Sequence, residues 1–203
     1  MAKISRTKLI DRAYNIRDPK LFVIATEGKE TEKQYFSMFY DSRIKIEVLS
    51  TGEDNRSAPE YVLERLEEFV NKYDLDEDDS LWLMLDVDRW GAKKLSAICR
   101  QARQKRYHVA ISNPCFESWL YLHFDDLSLD DKPCRILEDK LRAKLGSYNK
   151  SNLDLSLYKE HIEEAIQRAR DLDTNYRHNW PHTPGTRVYK LVEILLEAIQ
   201  DFS

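Results

Sequence analysis

The sequence predicts an α/β fold in which a parallel four-stranded sheet is flanked by helices. Four short apolar or β-branched segments, residues 21–26, 44–49, 81–85 and 108–111, have the length and composition of strands. Segments with a helical spacing of apolar residues separate them, and strands that alternate with helices form parallel sheets. Only 5 glycines and 6 prolines occur in 203 residues, which indicates long regular elements with few tight turns.

The helices of the first half follow the strands in order. The first strand leads into a helix over residues 30–40, and Pro59 opens the next helix, because proline fits a first helical turn. The third strand is a continuous apolar run, as expected for a strand that is buried on both faces. A helix over residues 92–105 follows it. After the fourth strand, Asn113 and Pro114 are expected to cap and begin another helix.

No further strand is predicted beyond residue 125. Residues 133–145, 156–172 and 186–202 have the apolar spacing of helices, and residues 175–185 form an irregular loop rich in histidine and proline. The chain therefore divides into three parts. These are a basic N-terminal extension over residues 1–17, an α/β core over 18–125, and a helical C-terminal region over 126–203 that packs on the core.

Composition restricts the classes of protein to consider. Hydrophobic residues make up 42% and charged residues 33% of the chain, as in folded globular proteins. No apolar run reaches the roughly 18 residues that a membrane span needs, and the N-terminus lacks the apolar core of a signal peptide. Cys99, Cys115 and Cys134 are widely spaced, which predicts neither a zinc knuckle nor a disulfide framework. We expect a reducing, cytoplasmic location away from membranes.

The net charge of −4 gives no general signature of a nucleic-acid-binding protein. Basic residues nevertheless cluster within the N-terminal extension and again over residues 93–106. Such clusters can follow a phosphate backbone. The alternative interpretation is that they are solvated faces of the protein.

Acidic residues follow two of the predicted strands directly. Glu27 comes after the first strand, Asp86 comes after the third, and Asp88 lies two residues further on. In an open parallel sheet, ligands bind at the carboxyl ends of the strands where the strand order reverses. If the first and third strands are neighbours, as in the common order 2-1-3-4, these three carboxylates meet there.

Converging carboxylates without histidine or thiolate suit a hard cation, here Mg²⁺ or Mn²⁺. Such a cation neutralises phosphate charge and polarises the scissile group. The alternative is that each acid merely ends its strand and caps the following helix. Glu30 and Glu32, which come next in the chain, fit that capping role better than metal binding.

Charged side chains near these acids are candidates for catalysis and substrate binding. Lys29 and Arg89 follow Glu27 and Asp86 by two and three residues, where they could hold the scissile phosphate or stabilise charge on it. Solvated loop cations are the alternative. Glu117, near the end of the fourth strand, is a candidate further metal ligand or catalytic base, with a helix-dipole interaction as the alternative.

Two more polar residues are candidate substrate contacts. Asn113 is expected mainly as a helix cap, and His182 belongs to the loop over residues 175–185. His178 and His182 have the spacing of a helical zinc pair, but the prolines between and beside them disfavour that geometry. His123 lies among aromatic residues and is expected to be a core histidine.

Four segments of the chain, residues 25–32, 86–89, 112–124 and 183–186, contain distinctive motifs. Together these motifs resemble one family, the RloB-type proteins. The similarity extends over about residues 21–196. The third segment is the most specific of the four, because carboxylate motifs like the first two occur throughout the wider Toprim group, to which RloB-type proteins belong.

The resemblance implies a Toprim/Rossmann-like fold and assigns roles to the acids. In Toprim proteins the glutamate after the first strand acts as general acid or base or helps to hold metal, and the Asp-x-Asp pair binds Mg²⁺. These roles fall on Glu27, Asp86 and Asp88. The resemblance also implies antiviral defence by abortive infection, in which an ATPase partner controls the effector. Related effectors act on nucleic acid, and some cleave tRNA.

Two functions follow as alternatives. The first is a metal-dependent nuclease that hydrolyses phosphodiester bonds in RNA such as tRNA, or in DNA. The second is a non-catalytic nucleic-acid-binding or regulatory subunit of the ATPase complex, which would have no need for the three acids. The sequence lacks a GxxxxGK[ST] loop, so ATP hydrolysis is expected in the partner. Homo-oligomerisation is left open.

Overall fold

In the part of the chain that the structure describes, the main sheet has five strands. The computed structural model describes residues 3–5, 19–52, 56–175 and 177–200. In spatial order the main sheet contains β3 (Ile44–Leu49), β2 (Lys20–Thr26), β5 (Ser80–Asp86), β6 (His108–Asn113) and β7 (Gly185–Thr186). The first four of these strands run parallel, and β7 is antiparallel to β6. A small separate sheet pairs β1 (Ile4–Ser5) with β4 (Tyr73–Asp74).

Helices connect and cover these strands. In chain order they are α1 (Thr31–Ser37), α2 (Pro59–Lys72), α3 (Ala92–Gln104), α4 (Glu117–Leu122), α5 (Cys134–Leu145), α6 (Leu155–Lys159), α7 (Ile162–Leu172) and α8 (Val188–Gln200). The expected α/β class, with helices flanking the sheet, is confirmed. Among the described residues, no helix is both long enough and apolar enough to cross a membrane.

The strand order agrees with the expected 2-1-3-4 arrangement, because β2 lies between β3 and β5. The prediction of a four-stranded, wholly parallel sheet is wrong, since β7 adds an antiparallel edge strand. Residues 185 and 186 fall where an irregular loop and the start of a helix were predicted. The Ser112 and Thr186 hydroxyls hydrogen-bond across this edge at 2.8 Å. A strand of two residues is too short to have a detectable period.

Two predicted helix boundaries are also wrong. Asn113 does not cap a helix, because it is the last residue of β6 and its side-chain amide donates to the Pro181 carbonyl at 2.8 Å. Pro114 follows it through a cis peptide bond, and α4 begins only at Glu117. The single helix predicted over residues 156–172 is divided into α6 and α7. Most of the basic N-terminal extension lies outside the described residues.

Both faces of the sheet are buried. Alternate residues of β2 point to opposite faces, so Phe22 and Ile24 belong to one apolar cluster, and Leu21 and Val23 belong to the other. Helices α2 and α3 cover the second cluster. Buried residues of α1, α4, α5, α7 and α8 all join the first. The C-terminal helices therefore share a core with one face of the sheet.

A buried ion pair fastens the loop before β7. The Arg187 guanidinium donates to both carboxylate oxygens of Asp173, at 2.8 and 3.0 Å, and to the carbonyl oxygens of Asn175 and His178. The side chains of Arg187 and Asp173 are only 7% and 3% exposed. Because water is excluded, loss of either partner would leave a buried charge poorly compensated.

We expect Arg187→Met to lower the free energy of unfolding by about 3 kcal/mol, the lower end of the range for breaking a buried pair. The lower end applies because Lys190 Nζ remains 3.3 Å from Asp173. Urea unfolding followed by circular dichroism measures the change. Arg170→Met is the matched control, since Arg170 pairs with Glu193 at the surface and such pairs contribute under about 1 kcal/mol. Equal losses in the two variants would contradict the assignment.

His123 is a core histidine, as the sequence predicted. The residue is 1% exposed, its Nε2 lies 3.1 Å from the Tyr35 hydroxyl, and its Nδ1 lies 3.0 Å from the Trp119 carbonyl oxygen. Burial lowers the pKa of His123 from 6.5 to about 3. The imidazole is therefore neutral in the folded protein at any ordinary pH.

This burial predicts a specific acid sensitivity. Between pH 6.5 and about 3 the unfolded chain protonates His123 while the folded protein does not, so stability falls as the pH falls through this window. The contribution to the slope is at most about 1.4 kcal/mol per pH unit. Urea unfolding at several pH values should show a flatter slope for His123→Gln. The exposed His178, changed to glutamine, is the control, and an unchanged slope in the His123 variant would refute the prediction.

Candidate metal centre

The register of two neighbouring strands brings the predicted acids together. Thr26 at the end of β2 pairs with Met84 of β5. Glu27 therefore lies level with the last residues of β5, and Asp86 is the final residue of that strand. Glu27, Asp86 and Asp88 all line one pocket at the carboxyl edge of the sheet. The sequence-based placement of these three residues agrees with the structure.

The Glu27 carboxylate is held by two donors. The backbone amide of Asp86 donates to Oε1 at 3.0 Å, and the Trp90 indole donates to Oε2 at 2.7 Å. Burial raises the pKa of Glu27 to about 7, although both hydrogen bonds act to lower it. The side chain is thus fixed in orientation and can gain or lose a proton near neutral pH.

The two aspartates are crowded by other acids. Burial raises the pKa of Asp86 well above its usual value, and the nearby Glu27, Glu32 and Glu117 raise it further. Burial also raises the pKa of Asp88, while Arg89 lowers it from 3.9 Å away. Repulsion of this kind disfavours ionisation of neighbouring carboxyl groups unless a cation lies among them.

The turn that carries Asp88 is anchored to the neighbouring strand. The backbone amides of Val87 and Asp88 both donate to the Pro114 carbonyl oxygen, at 3.0 and 3.1 Å. The amide of Val87 also lies 3.0 Å from the Ser112 carbonyl oxygen. The segment after β6 therefore fixes the position of Asp88 relative to Asp86.

Glu32 is a buried acid of the pocket that sequence reasoning assigned to helix capping. It is 5% exposed, and its Oε1 accepts the backbone amide of Gly28 at 3.2 Å. A β-carbon at residue 28 would overlap the Glu32 carboxylate in its present position, so a larger residue there would displace that side chain. Burial raises the pKa of Glu32 to about 7. The feature of the sequence that could have identified Glu32 as a pocket residue is its position, five residues after Glu27 and in the first turn of α1.

Glu117 lies at the pocket, as predicted, at the first position of α4. The side chain is 6% exposed, and its Oε1 accepts from Lys150 Nζ at 2.6 Å and from the Tyr148 hydroxyl at 3.2 Å. Lys150 also contacts Glu138 at 3.0 Å. Sequence reasoning missed Lys150, Tyr148 and Glu138, because they come from the C-terminal region and only the folded chain brings them to the sheet edge.

The segment that carries Lys150 is attached to α1. The carbonyl oxygen of Lys150 accepts from the Thr31 hydroxyl at 3.2 Å and from the Gln34 side-chain amide at 2.9 Å. The same Gln34 side chain accepts the backbone amide of Leu153 at 2.9 Å. These contacts hold the ammonium group over the acids, where it supplies positive charge.

The pocket has a volume of about 360 Å³ and also includes Lys29 and Arg89, both exposed. The two remaining candidate substrate contacts are not among its lining residues. Asn113 bonds to the Pro181 carbonyl oxygen, and the exposed His182 ring stacks on His178 with 3.8 Å between centroids. The structure therefore does not bring Asn113 or His182 together with the carboxylates.

The basic run over residues 93–106 is partly neutralised. Lys94 of α3, and Lys105 directly after α3, pair with Glu60 and Glu67 of α2, each at 3.0 Å. Arg103 contacts the Asn179 side chain. Half of the six basic residues thus have partners within the protein. This favours the interpretation that much of this run is a solvated face of the protein and does not follow a phosphate backbone.

A disulfide bond joins Cys115 and Cys134, where the sequence predicted none. Cys115 lies between β6 and α4, and Cys134 is the first residue of α5. Both line the pocket, and Cys134 Sγ is 3.3 Å from Asp88 Oδ2. The separation of 19 residues gave no sequence signal, because the pairing depends on how α5 packs against α4. Cys99 is free and buried on the other side of the sheet.

Comparison with known proteins identifies the family. The family model described as RloB-like protein matches residues 22–195, which is most of the chain. Comparisons with curated proteins and with solved structures give no significant match. The matched region contains Glu27, Asp86, Asp88, Glu117 and Lys150, and thus the whole carboxylate pocket. The chain therefore belongs to the RloB-like family.

Proposed function

We propose that this protein is a metal-dependent nuclease that hydrolyses phosphodiester bonds in RNA such as tRNA, or in DNA. The observation that carries the proposal is the convergence of Glu27, Asp86 and Asp88 at one sheet edge, with Glu32 and Glu117 beside them. Crowding so many carboxyl groups into one partly buried pocket is unfavourable without a cation, and their raised pKa values are the sign of that cost.

The donor atoms fit Mg²⁺ or Mn²⁺. The three predicted ligands offer only carboxylate oxygens, which hard divalent cations prefer. Asp86 and Asp88 would hold the ion, and Glu27 would complete the set or lie next to it. When bound, the ion supplies charge neutralisation and polarisation of the scissile phosphate.

Glu27 is the residue best suited to move a proton. Its pKa of about 7 lets it accept a proton from an attacking water and return one to a leaving oxygen near neutral pH. Trp90 and the amide of Asp86 keep the carboxylate pointed into the pocket during this exchange. Lys29, Arg89 and Lys150 provide positive charge around the phosphate.

The biological setting of the proposal rests on the family resemblance. A Toprim-type nuclease of RloB type would serve as the effector of a bacterial antiviral system and would be controlled by a partner ATPase. The carboxylates at the ends of β2 and β5 support the Toprim assignment, because the same strand ends carry the acids of that group.

We expect purified protein, in the presence of its partner, to cleave a labelled tRNA pool or plasmid DNA only with Mg²⁺ or Mn²⁺. Glu27→Gln and Asp86→Asn should each reduce the cleavage rate by at least about 100-fold, the lower end for loss of a catalytic acid or base. Gel analysis of the products gives both the rate and the substrate class.

Glu163→Gln is the matched control for these variants. Glu163 is an exposed acid on α7, so its change should leave cleavage at the wild-type rate. Cleavage that persists in the Glu27 and Asp86 variants would contradict the proposal. Absence of cleavage by the wild type, with both variants still protecting cells from phage, would instead indicate a regulatory subunit.

Control by the partner makes a separate prediction. The isolated chain should be weakly active or silent, and addition of the ATPase with ATP should raise cleavage of the same substrates. The measurement is the initial rate with and without the partner at equal nuclease concentration. Strong cleavage by the chain alone, unaffected by the ATPase, would show that the nuclease is not latent.

A further inference from the structure

Two cysteines and a glutamate meet at the rim of the carboxylate pocket. The sulfur atoms of Cys115 and Cys134 and one carboxylate oxygen of Glu117 all lie within 4.8 Å of one another. We propose that, in the reduced protein, these three residues bind a thiophilic divalent cation such as Zn²⁺. This site uses sulfur ligands, is distinct from the magnesium ligands proposed above, and does not depend on the nuclease assignment.

The backbone geometry suits both states of the cysteine pair. The α-carbons of Cys115 and Cys134 are 5.9 Å apart, within the range that a disulfide allows. Two thiolates that share a tetrahedral zinc at about 2.3 Å lie roughly 3.8 Å apart. Rotation of the Cys115 and Cys134 side chains can provide this separation, so no change in backbone conformation is needed. Cys115 and Glu117 also flank Phe116, which places two of the three ligands on one short segment.

Charge at the rim favours a bound cation. Two thiolates and the Glu117 carboxylate carry three negative charges, and a divalent cation with the Lys150 ammonium supplies three positive ones. The Lys150 bond is made to Oε1 of Glu117 at 2.6 Å, so a cation at the second carboxylate oxygen leaves it in place. Asp88 Oδ2, 3.3 Å from Cys134 Sγ, adds further negative charge next to the site.

The disulfide is the oxidised form of the same site, and the two states exclude each other. A phosphine reductant attacks the disulfide, water supplies the oxygen of the phosphine oxide, and the two protons of that water end on the two thiols. Metal binding then displaces both thiol protons as each sulfur forms a bond to the cation. If a peroxide re-oxidises the pair, the two thiolates give two electrons to the peroxide, its O–O bond breaks to yield two hydroxide ions, the S–S bond forms, and the cation is released beside Asp88.

Co²⁺ is the probe for this site, because thiolate ligands give it an intense near-ultraviolet charge-transfer band that carboxylate ligands do not. We reduce the full-length protein with a phosphine, remove the reductant without air, and titrate Co²⁺. The reduced wild type should show the band with saturation at one equivalent, and Zn²⁺ should abolish it. The oxidised protein should show no band. Glu117→Gln should weaken cobalt binding by about tenfold or more.

Matched cysteine variants decide the outcome. Cys134→Ser and Cys115→Ser should lose the band, whereas Cys99→Ser should keep it. Cys134 is only half-buried, so its variant remains informative even if the change at the buried Cys115 prevents folding. No band in the reduced wild type, or a band that survives Cys134→Ser, would overturn the site. Asp86→Asn should keep the band, so this result and the nuclease result can fail independently.

Discussion

The repulsion between the half-buried Glu27 and Asp86 carboxyl groups is the constraint to which the rest of the site responds. The register of β2 against β5 forces them together, since Thr26 is paired with Met84. That register is secured by apolar residues on both faces, because a slip of one position would turn Phe22 and Ile24 toward the opposite layer. The apolar core thus holds two acids where their own electrostatics would separate them.

Neighbouring groups offset this repulsion in two ways. Trp90 and backbone amides satisfy individual oxygen atoms, as at Glu27 and Glu32. Lys150 instead supplies charge, and it bridges Glu117 and Glu138. Protonation of the Glu32 carboxyl group near neutral pH relieves part of the remaining repulsion. A site built in this way changes its charge with small changes in pH or in bound cation.

The sequence predicted what local patterns determine. Apolar runs located the parallel strands, and acids directly after two of them located Glu27 and Asp86. Features set by distant contacts could not be predicted. Lys150 reaches the pocket only because α5 ends at Gly146, which has a positive φ of 75°, and the chain then returns to α1. Glu32 was assigned to capping because its burial depends on packing that no local pattern records, and β7 was missed because it has two residues.

The attachment of Lys150 to Thr31 and Gln34 has a consequence for the evolution of this protein. Glu27, Asp86 and Glu117 come from the α/β core, whereas Lys150, which balances Glu117, comes from the helical C-terminal region. Neither region can be exchanged for that of a distant relative without separating charge from countercharge. Inheritance of the pocket therefore requires both regions together, and recombination between them would be selected against even if each half folded well.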